Sequence, residues 1–494
     1  MEPIVATTVG AVRGGAADGV LSFKGVPYAA PPFGHLRFAA PQPPQPWSGV
    51  LDCLDYGPTA PKPPYPTPVD QLLPEPEIAG EDVLNLNVWT PGLDGSLPVL
   101  VWIHGGAFVH GSGAVSTYDG AAFARDGVVC VTINYRVGID GFLLLDGVPA
   151  NRGLLDQIAA LRWVRANIAA LGGDPANVTI AGESAGAMSV CTLLSMPQAD
   201  GLYRRAIAQS GPADKVQSRP TATKVTAALA DSLGIAASAD AFAQVPLDTL
   251  ISAQVALSAR ILGEPNPLVW GEIVGDLMPF EPCIDGEVLT ARPIDAIAGG
   301  AGTASEVLVG TNDDEYTFFL VPRGAHKYLT EDALHGLLAG YGRDVETATA
   351  AYREADPNAT PAQLFMDALR DEFFRVPAVR IADARHAHGA TTHVYEFGWR
   401  SPQYAGALGA THALEVGFVF DNLGDPNGKP LAGDAPPQAL ADEMHQAWVA
   451  FVETGDPGWP AYGTERTVRR FGGADSGVVH DPAPALRAVW DGAV

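Results

Sequence analysis

The chain has 494 residues, of which 47% are hydrophobic and 17% charged, a composition that buries a large core and excludes disorder. Its formal net charge is −26, so the surface offers no electrostatic footprint for nucleic acid or for an anionic membrane. The length accommodates about three ordinary domains of ~150 residues or one large α/β unit.

In chain order, MEPIVATTVGAVRGG has neither a basic segment nor an apolar run, so no secretory leader is expected. No stretch of ~18 consecutive apolar residues follows anywhere, and no membrane span is expected. The first forty residues read as short strands and turns. Residues 57–80 are rich in proline, and because strand-like LNLNVWTP follows at once they read as a surface loop within the fold. LPVLVWIHGG is a buried strand ending in glycines, and GVVCVTINYR is a second. Ile158, Leu161, Ile168 and Leu171 recur at helical spacing, and Gly172 and Gly173 stop that helix. NVTIA predicts a third strand and AMSVCTLLSM a helix after it. Continuous apolar strands alternating with helices imply an α/β architecture, a mostly parallel sheet covered on both faces. Residues 213–300 carry weaker helical patterns, SEVLVGTN at 305–312 is strand-like, 328–390 read as mostly helical, and THVYEFGW at 392–399 is again a strand. The expectation is one catalytic domain over 1–494, with helical insertions at about 213–300 and 320–390. Cys53, Cys130, Cys191 and Cys283 are widely spaced and form no CxxC pair, which fits free thiols in a reducing, cytoplasmic setting.

One stretch carries chemistry. TIAGESAGAMSV, residues 179–190, sets Gly-x-Ser-x-Gly between a predicted strand and a predicted helix. There Ser184 occupies a tight corner that projects its hydroxyl from the sheet. A serine is a weak nucleophile and needs a base, a group that orients the base, and donors for the oxyanion. HGGAF at 104–108 follows a strand, so the backbone N–H groups of Gly105 and Gly106, with that of Ala185, form a candidate oxyanion hole. His104 reads as a structural hydrogen-bonder rather than the base. Asp313, Asp314 and Glu315 end a later strand as candidate acids. Eight histidines follow the elbow (His326, His335, His386, His388, His393, His412, His445 and His480), and local pattern does not choose among them. No HExxH or Cys/His cluster exists, so no metal site is expected.

Long ordered blocks carry a resemblance. FKGVPYAAPPFGHLRF, EDVLNLNVWTP, HGGAF, INYRVGIDGFL, the segment through GESAG, RRAIAQSG, and HQAWVAFVETGDP with WPAY resemble the type-B carboxylesterase and cholinesterase-like family of α/β-hydrolases almost end to end. The resemblance implies the α/β-hydrolase fold and a serine hydrolase that cleaves small carboxylic esters through an acyl-enzyme, with no cofactor. GATHALEVGFVFDN looks like the family's histidine block and implies His412 as base. The family's acid pattern aligns on Glu315, with Asp314 as fallback because Tyr316 stands where glycine is usual. A left-handed backbone there strains a tyrosine. Glu183 is read either as a pocket residue that shapes electrostatics or as a structural elbow residue. The resemblance further implies an ion pair between Arg37 and Glu81, while Val83 replaces a cysteine of disulfide-bearing members. Pocket residues are expected from 213–390, Phe108 and the loop near Tyr118, with Tyr316 a further candidate. Carbamate or amide hydrolysis on the same residues, and an inactive binding protein on the same fold, are the rival readings. Family members occur as monomers and as dimers, and the sequence favours neither.

Overall fold

The computed structural model describes residues 2–491. Its centre is an eleven-stranded sheet of β1 (Gly15–Ala17), β2 (Val20–Pro27), β3 (Asn85–Thr90), β4 (Leu97–Ile103), β5 (Val129–Ile133), β6 (Gly173–Glu183), β7 (Arg205–Gln209), β8 (Glu306–Asn312), β9 (Thr392–Phe397), β10 (Thr467–Phe471) and β11 (Gly477–His480). The spatial order is β11-β10-β9-β8-β7-β6-β4-β5-β3-β2-β1. From β10 to β5 every neighbouring pair is parallel, and antiparallel strands close both ends. A separate three-stranded sheet joins Ile4–Ala6, Ala11–Arg13 and Val50–Asp52.

The buried strands separate two cores because side chains alternate along each of them. Val99, Val101, Ile103, Ile180 and Val309 face the helices α1 (Arg152–Asn167) and α2 (Ala185–Leu194). Leu100, Trp102, Ala181, Ile207 and Leu308 face the long helix Gln438–Thr454 through Met444, Trp448 and Phe451. α1 starts earlier than its periodicity suggested, at Arg152. Its expected last turn is a 3-10 turn, Ile168–Leu171, and Gly172 ends it at φ 82°, a conformation that costs glycine nothing.

Residues 213–300 supply the helices Arg219–Leu233 and α3 (Leu247–Gly263). The helices Glu331–Gly340, Val345–Ala355 and Pro361–Arg370 build a small core of their own from Leu334, Leu338, Tyr352 and Leu364, capped by Trp490 of the last helix. All four cysteines are buried free thiols. Among the described residues, no helix is long and apolar enough to cross a membrane.

The chain reverses direction across the sheet at β4, whose neighbours are β5 on one side and β6 on the other. Register places Ile103 of β4 beside Gly182 of β6, and Gln209 of β7 beside Glu183 and Gly310. The carboxyl ends of four parallel strands therefore share one edge at a topological switch point, where open α/β sheets hold ligands.

Candidate active site

Ser184 leaves β6 at that edge with φ 57° and ψ −127°, a strained conformation outside helix and strand. Its N–H donates to Gln209 O of β7 at 2.9 Å, and its carbonyl accepts from Met188 N–H in α2 at the same distance. The corner has no room for side chains at its flanks. A methyl on Gly186 would come 2.0 Å from Ile103 O, and one on Gly182 would come 2.5 Å from the Gly186 carbonyl carbon.

Gly105 and Gly106 follow β4 directly beside this corner. A methyl on Gly105 would lie 3.1 Å from Ser184 Cβ, and Gly106 adopts φ 109°. Ala185 is the first residue of α2, a position whose N–H has no acceptor within the helix. Gly105 and Gly106 share the wall of one cavity with Ser184, and Ala185 follows the serine directly. His104 is buried, donates from Nδ1 to Gly105 O at 2.8 Å and stacks on Tyr135. Burial pushes it down to about 3, a neutral structural imidazole.

The structure brings Glu315 to His412: the imidazole Nδ1–H donates to Glu315 Oε2 at 2.6 Å. The other carboxylate oxygen, Oε1, accepts from Ser210 Oγ at 2.6 Å and from Asn312 N–H at 2.8 Å. Asp314 is occupied elsewhere, accepting from Ala410 N–H at 2.7 Å and from Arg400 Nη1 at 2.6 Å, so the fallback acid instead anchors the histidine loop. Tyr316 sits at φ −75° and ψ −11°, an ordinary helical conformation. The strain expected at this position is absent, because the chain here enters the short helix Thr317–Leu320 rather than a left-handed turn.

Glu183 is both pocket wall and elbow. Its Oε1 lies 3.0 Å from His412 Nε2, so the imidazole has a carboxylate at each nitrogen. Burial opposes charge on His412, but Glu183 and Glu315 outweigh it and push the group up to about 9. Burial pushes Glu183 itself up, with Glu415 and Glu315 adding to the shift and His412 opposing it. Beneath them Glu415 is buried and accepts from Asn312 Nδ2 at 2.7 Å and Gln209 Nε2 at 3.0 Å. The other histidines lie elsewhere. His445, for one, is buried with Nδ1 donating to Val419 O.

A cavity opens on Ser184 and His412. Gly105, Gly106, Ala107, Tyr118, Glu183, Phe318, Phe319 and Ala413 line it, and the proline-rich loop adds Tyr65, Leu73, Pro74 and Glu75. A second chamber shares Leu73, Val115, Thr117, Tyr118 and Ala413 with it and continues among Leu414, Val416, Leu423 and Leu431. The walls are largely apolar, and no lysine or arginine lines either chamber.

Four expectations need correction. Phe108 is buried against Phe142 with ring centroids 5.0 Å apart, and it is Ala107 that faces the cavity. Tyr316 packs on Phe319, Phe373 and Phe374, behind the wall rather than in it. Of residues 213–390, only Phe318 and Phe319 line the chamber that holds Ser184 and His412. Arg37 does not meet Glu81, which is exposed. It pairs at 3.1 Å with Asp140, a largely buried side chain on the turn Gly138–Phe142. Ser210, Asn312, Gln209 and Glu415 escaped sequence reasoning as supporting residues. Their one legible signal is position, since the first three stand at the ends of adjacent parallel strands.

The model of the Carboxylesterase family matches residues 1–470. The chain is 39% identical to para-nitrobenzyl esterase of Bacillus subtilis (strain 168), with 98% of this chain and 97% of that protein covered. It is 38% identical to phenmedipham hydrolase of Pseudarthrobacter oxydans, over 93% of each. Among solved structures, the Geobacillus stearothermophilus carboxylesterase EST55 superposes with a TM-score of 0.86 at 39% identity, covering 99% of both chains.

Proposed function

The chain belongs to the carboxylesterase family of α/β-hydrolases and is a carboxylic-ester hydrolase, and we propose that it works through an acyl-enzyme formed on Ser184, with His412 as base and Glu315 as its orienting acid. The observation that carries this reading is the 2.6 Å pair between His412 Nδ1 and Glu315, the imidazole lining the same cavity as a serine held on a strained corner.

Ser184 Oγ attacks the ester carbonyl carbon as His412 Nε2 takes its proton. The negative charge that develops on the carbonyl oxygen is received by the N–H groups of Gly105, Gly106 and Ala185, donors each worth roughly 3 kcal/mol of barrier. Collapse of the tetrahedral intermediate breaks the bond to the alcohol oxygen, which His412 protonates. Water, deprotonated by the same imidazole, then attacks the acyl-enzyme and releases the acid. Glu315 fixes the ring orientation and stabilises its cationic form. The apolar, cation-free walls favour uncharged esters. One α/β unit with its helical insertions, working in a reducing cytoplasm, completes the reading.

The test is turnover of a p-nitrophenyl ester together with labelling by a fluorophosphonate probe, the modified residue being located by mass spectrometry. Label on Ser184, and a loss of turnover of about 10⁴-fold or more in Ser184→Ala, are expected. Turnover that survives Ser184→Ala in a folded protein would overturn the assignment.

A further inference from the structure

Away from the catalytic cavity, α3 turns one face inward and leaves the opposite face uncovered by the other described residues. Its buried residues are Leu250, Gln254, Leu257 and Ile261, spaced three and four apart as one side of a helix requires. They pack toward the helix Arg219–Leu233 and the turn Gly138–Phe142. Val255 and Leu262 stand on the far side, 48% and 55% exposed, with Ala256 and Ala259 exposed between them. Just beyond the helix, Leu268 and Val269 are 89% and 44% exposed. The Arg260 guanidinium lies 5.1 Å from the Trp270 ring and ties this segment to the end of α3. Two consecutive elements thus present large apolar side chains that nothing in the described chain covers.

Charge sets the patch apart. Between residues 249 and 263 the one charged residue is Arg260, in a chain whose net charge is −26. Arg260 and Glu264 border the apolar stripe with opposite signs, and among the described residues neither has an ion-pair partner. Beside the protruding Leu268 lies a groove lined by Arg260, Glu264, Asn266, Val269 and Trp270. The same small surface therefore holds a protrusion and a groove, a positive and a negative group.

Under a two-fold rotation Leu268 of each copy would face the groove of the other, and each Arg260 the other copy's Glu264. Elsewhere the acidic surface repels a second copy, so the neutral patch is where self-association costs least. We infer that this face is the isologous interface of a homodimer, built from α3 and residues 264–270 of two copies. A lipid surface fits less well, since the rest of the chain is strongly anionic.

Sedimentation of the purified full chain at physiological salt tests this. A concentration-dependent species of twice 51.5 kDa is expected. Leu262→Glu, a change at an exposed position, is expected to weaken association at least about tenfold. Its circular dichroism and its hydrolysis of p-nitrophenyl acetate should match the parent, because α3 lines no part of the catalytic chamber. Arg260→Glu alone is expected to weaken the dimer, and Arg260→Glu combined with Glu264→Arg to restore it. Three results would overturn the inference. One is a chain that stays at 51.5 kDa up to concentrations on the order of 100 μM. Another is a dimer indifferent to Leu262→Glu. The third is a monomer that binds phosphatidylcholine vesicles through this patch.

Discussion

His412 is held between carboxylates on both ring nitrogens, with Glu315 at 2.6 Å and Glu183 at 3.0 Å. An imidazole so placed keeps its proton above the ordinary histidine range, yet it must be neutral to act as a base. Activity should therefore rise with pH on a limb lying above neutrality. Replacing Glu183 by glutamine removes an anion and so favours the neutral ring, which moves that limb to lower pH. A displacement on the order of one pH unit is expected in the kcat/KM profile of Glu183→Gln. An unmoved limb would mean that Glu183 does not act on His412 electrostatically. Gly106 makes a second, independent test. At φ 109° an alanine is strained, and its methyl would come 2.5 Å from the His110 carbonyl. Gly106→Ala should displace an oxyanion donor and lower kcat by about 10²–10³-fold, with the Ser184 probe still reacting slowly. A kcat within a few-fold of the parent would place the oxyanion elsewhere.

At the scale of elements, the strands and the corner were legible because their physics is local. An apolar run ending in Gly-x-Ser-x-Gly announces β6, Ser184 and α2 in a dozen residues, and HGGAF does the same for the end of β4. Glu315 and His412 were legible only through long blocks resembling a family, because nothing local distinguishes His412 from seven other histidines. The supporting residues were not legible, since Ser210, Asn312 and Glu415 meet only after separate strands fold. The proline-rich loop is the part of the site least legible in the sequence. Proline removes both the hydrogen-bonding pattern and the periodicity that sequence reading relies on, so residues 57–80 showed no face. In the structure that loop forms a cavity wall, and Lys62 Nζ with Glu75 Oε1, a buried pair at 3.2 Å, fastens it. Removing one partner of a buried pair leaves the other uncompensated. Lys62→Ala should therefore loosen the wall, raising KM for p-nitrophenyl esters several-fold while kcat changes little. Limited proteolysis between residues 61 and 80 should quicken in step. A fall in kcat at unchanged KM would instead assign the pair to the chemistry.

At the scale of the molecule, charge divides into two populations. The acidic excess of 26 is spread over the surface and repels itself. The strongest attractions are sheltered: Arg136 pairs with Asp156 at 2.7 Å, and Asp371 accepts from both Arg370 and Arg375, all with their side chains buried or nearly so. Salt screens the first population and hardly reaches the second, because the Debye length falls from about 30 Å at 0.01 M to about 8 Å at 0.15 M while buried pairs stay unscreened. The sign of the net effect follows. Adding sodium chloride over that range should stabilise the fold, raising the thermal midpoint by about 1–3 °C. The cavity has no lining lysine or arginine and p-nitrophenyl acetate is uncharged, so kcat/KM for this ester should hold constant over the same range. Differential scanning calorimetry and steady-state rates on one salt series check both. A midpoint that falls with salt would mean that exposed ion pairs, rather than the sheltered ones, hold this acidic chain together.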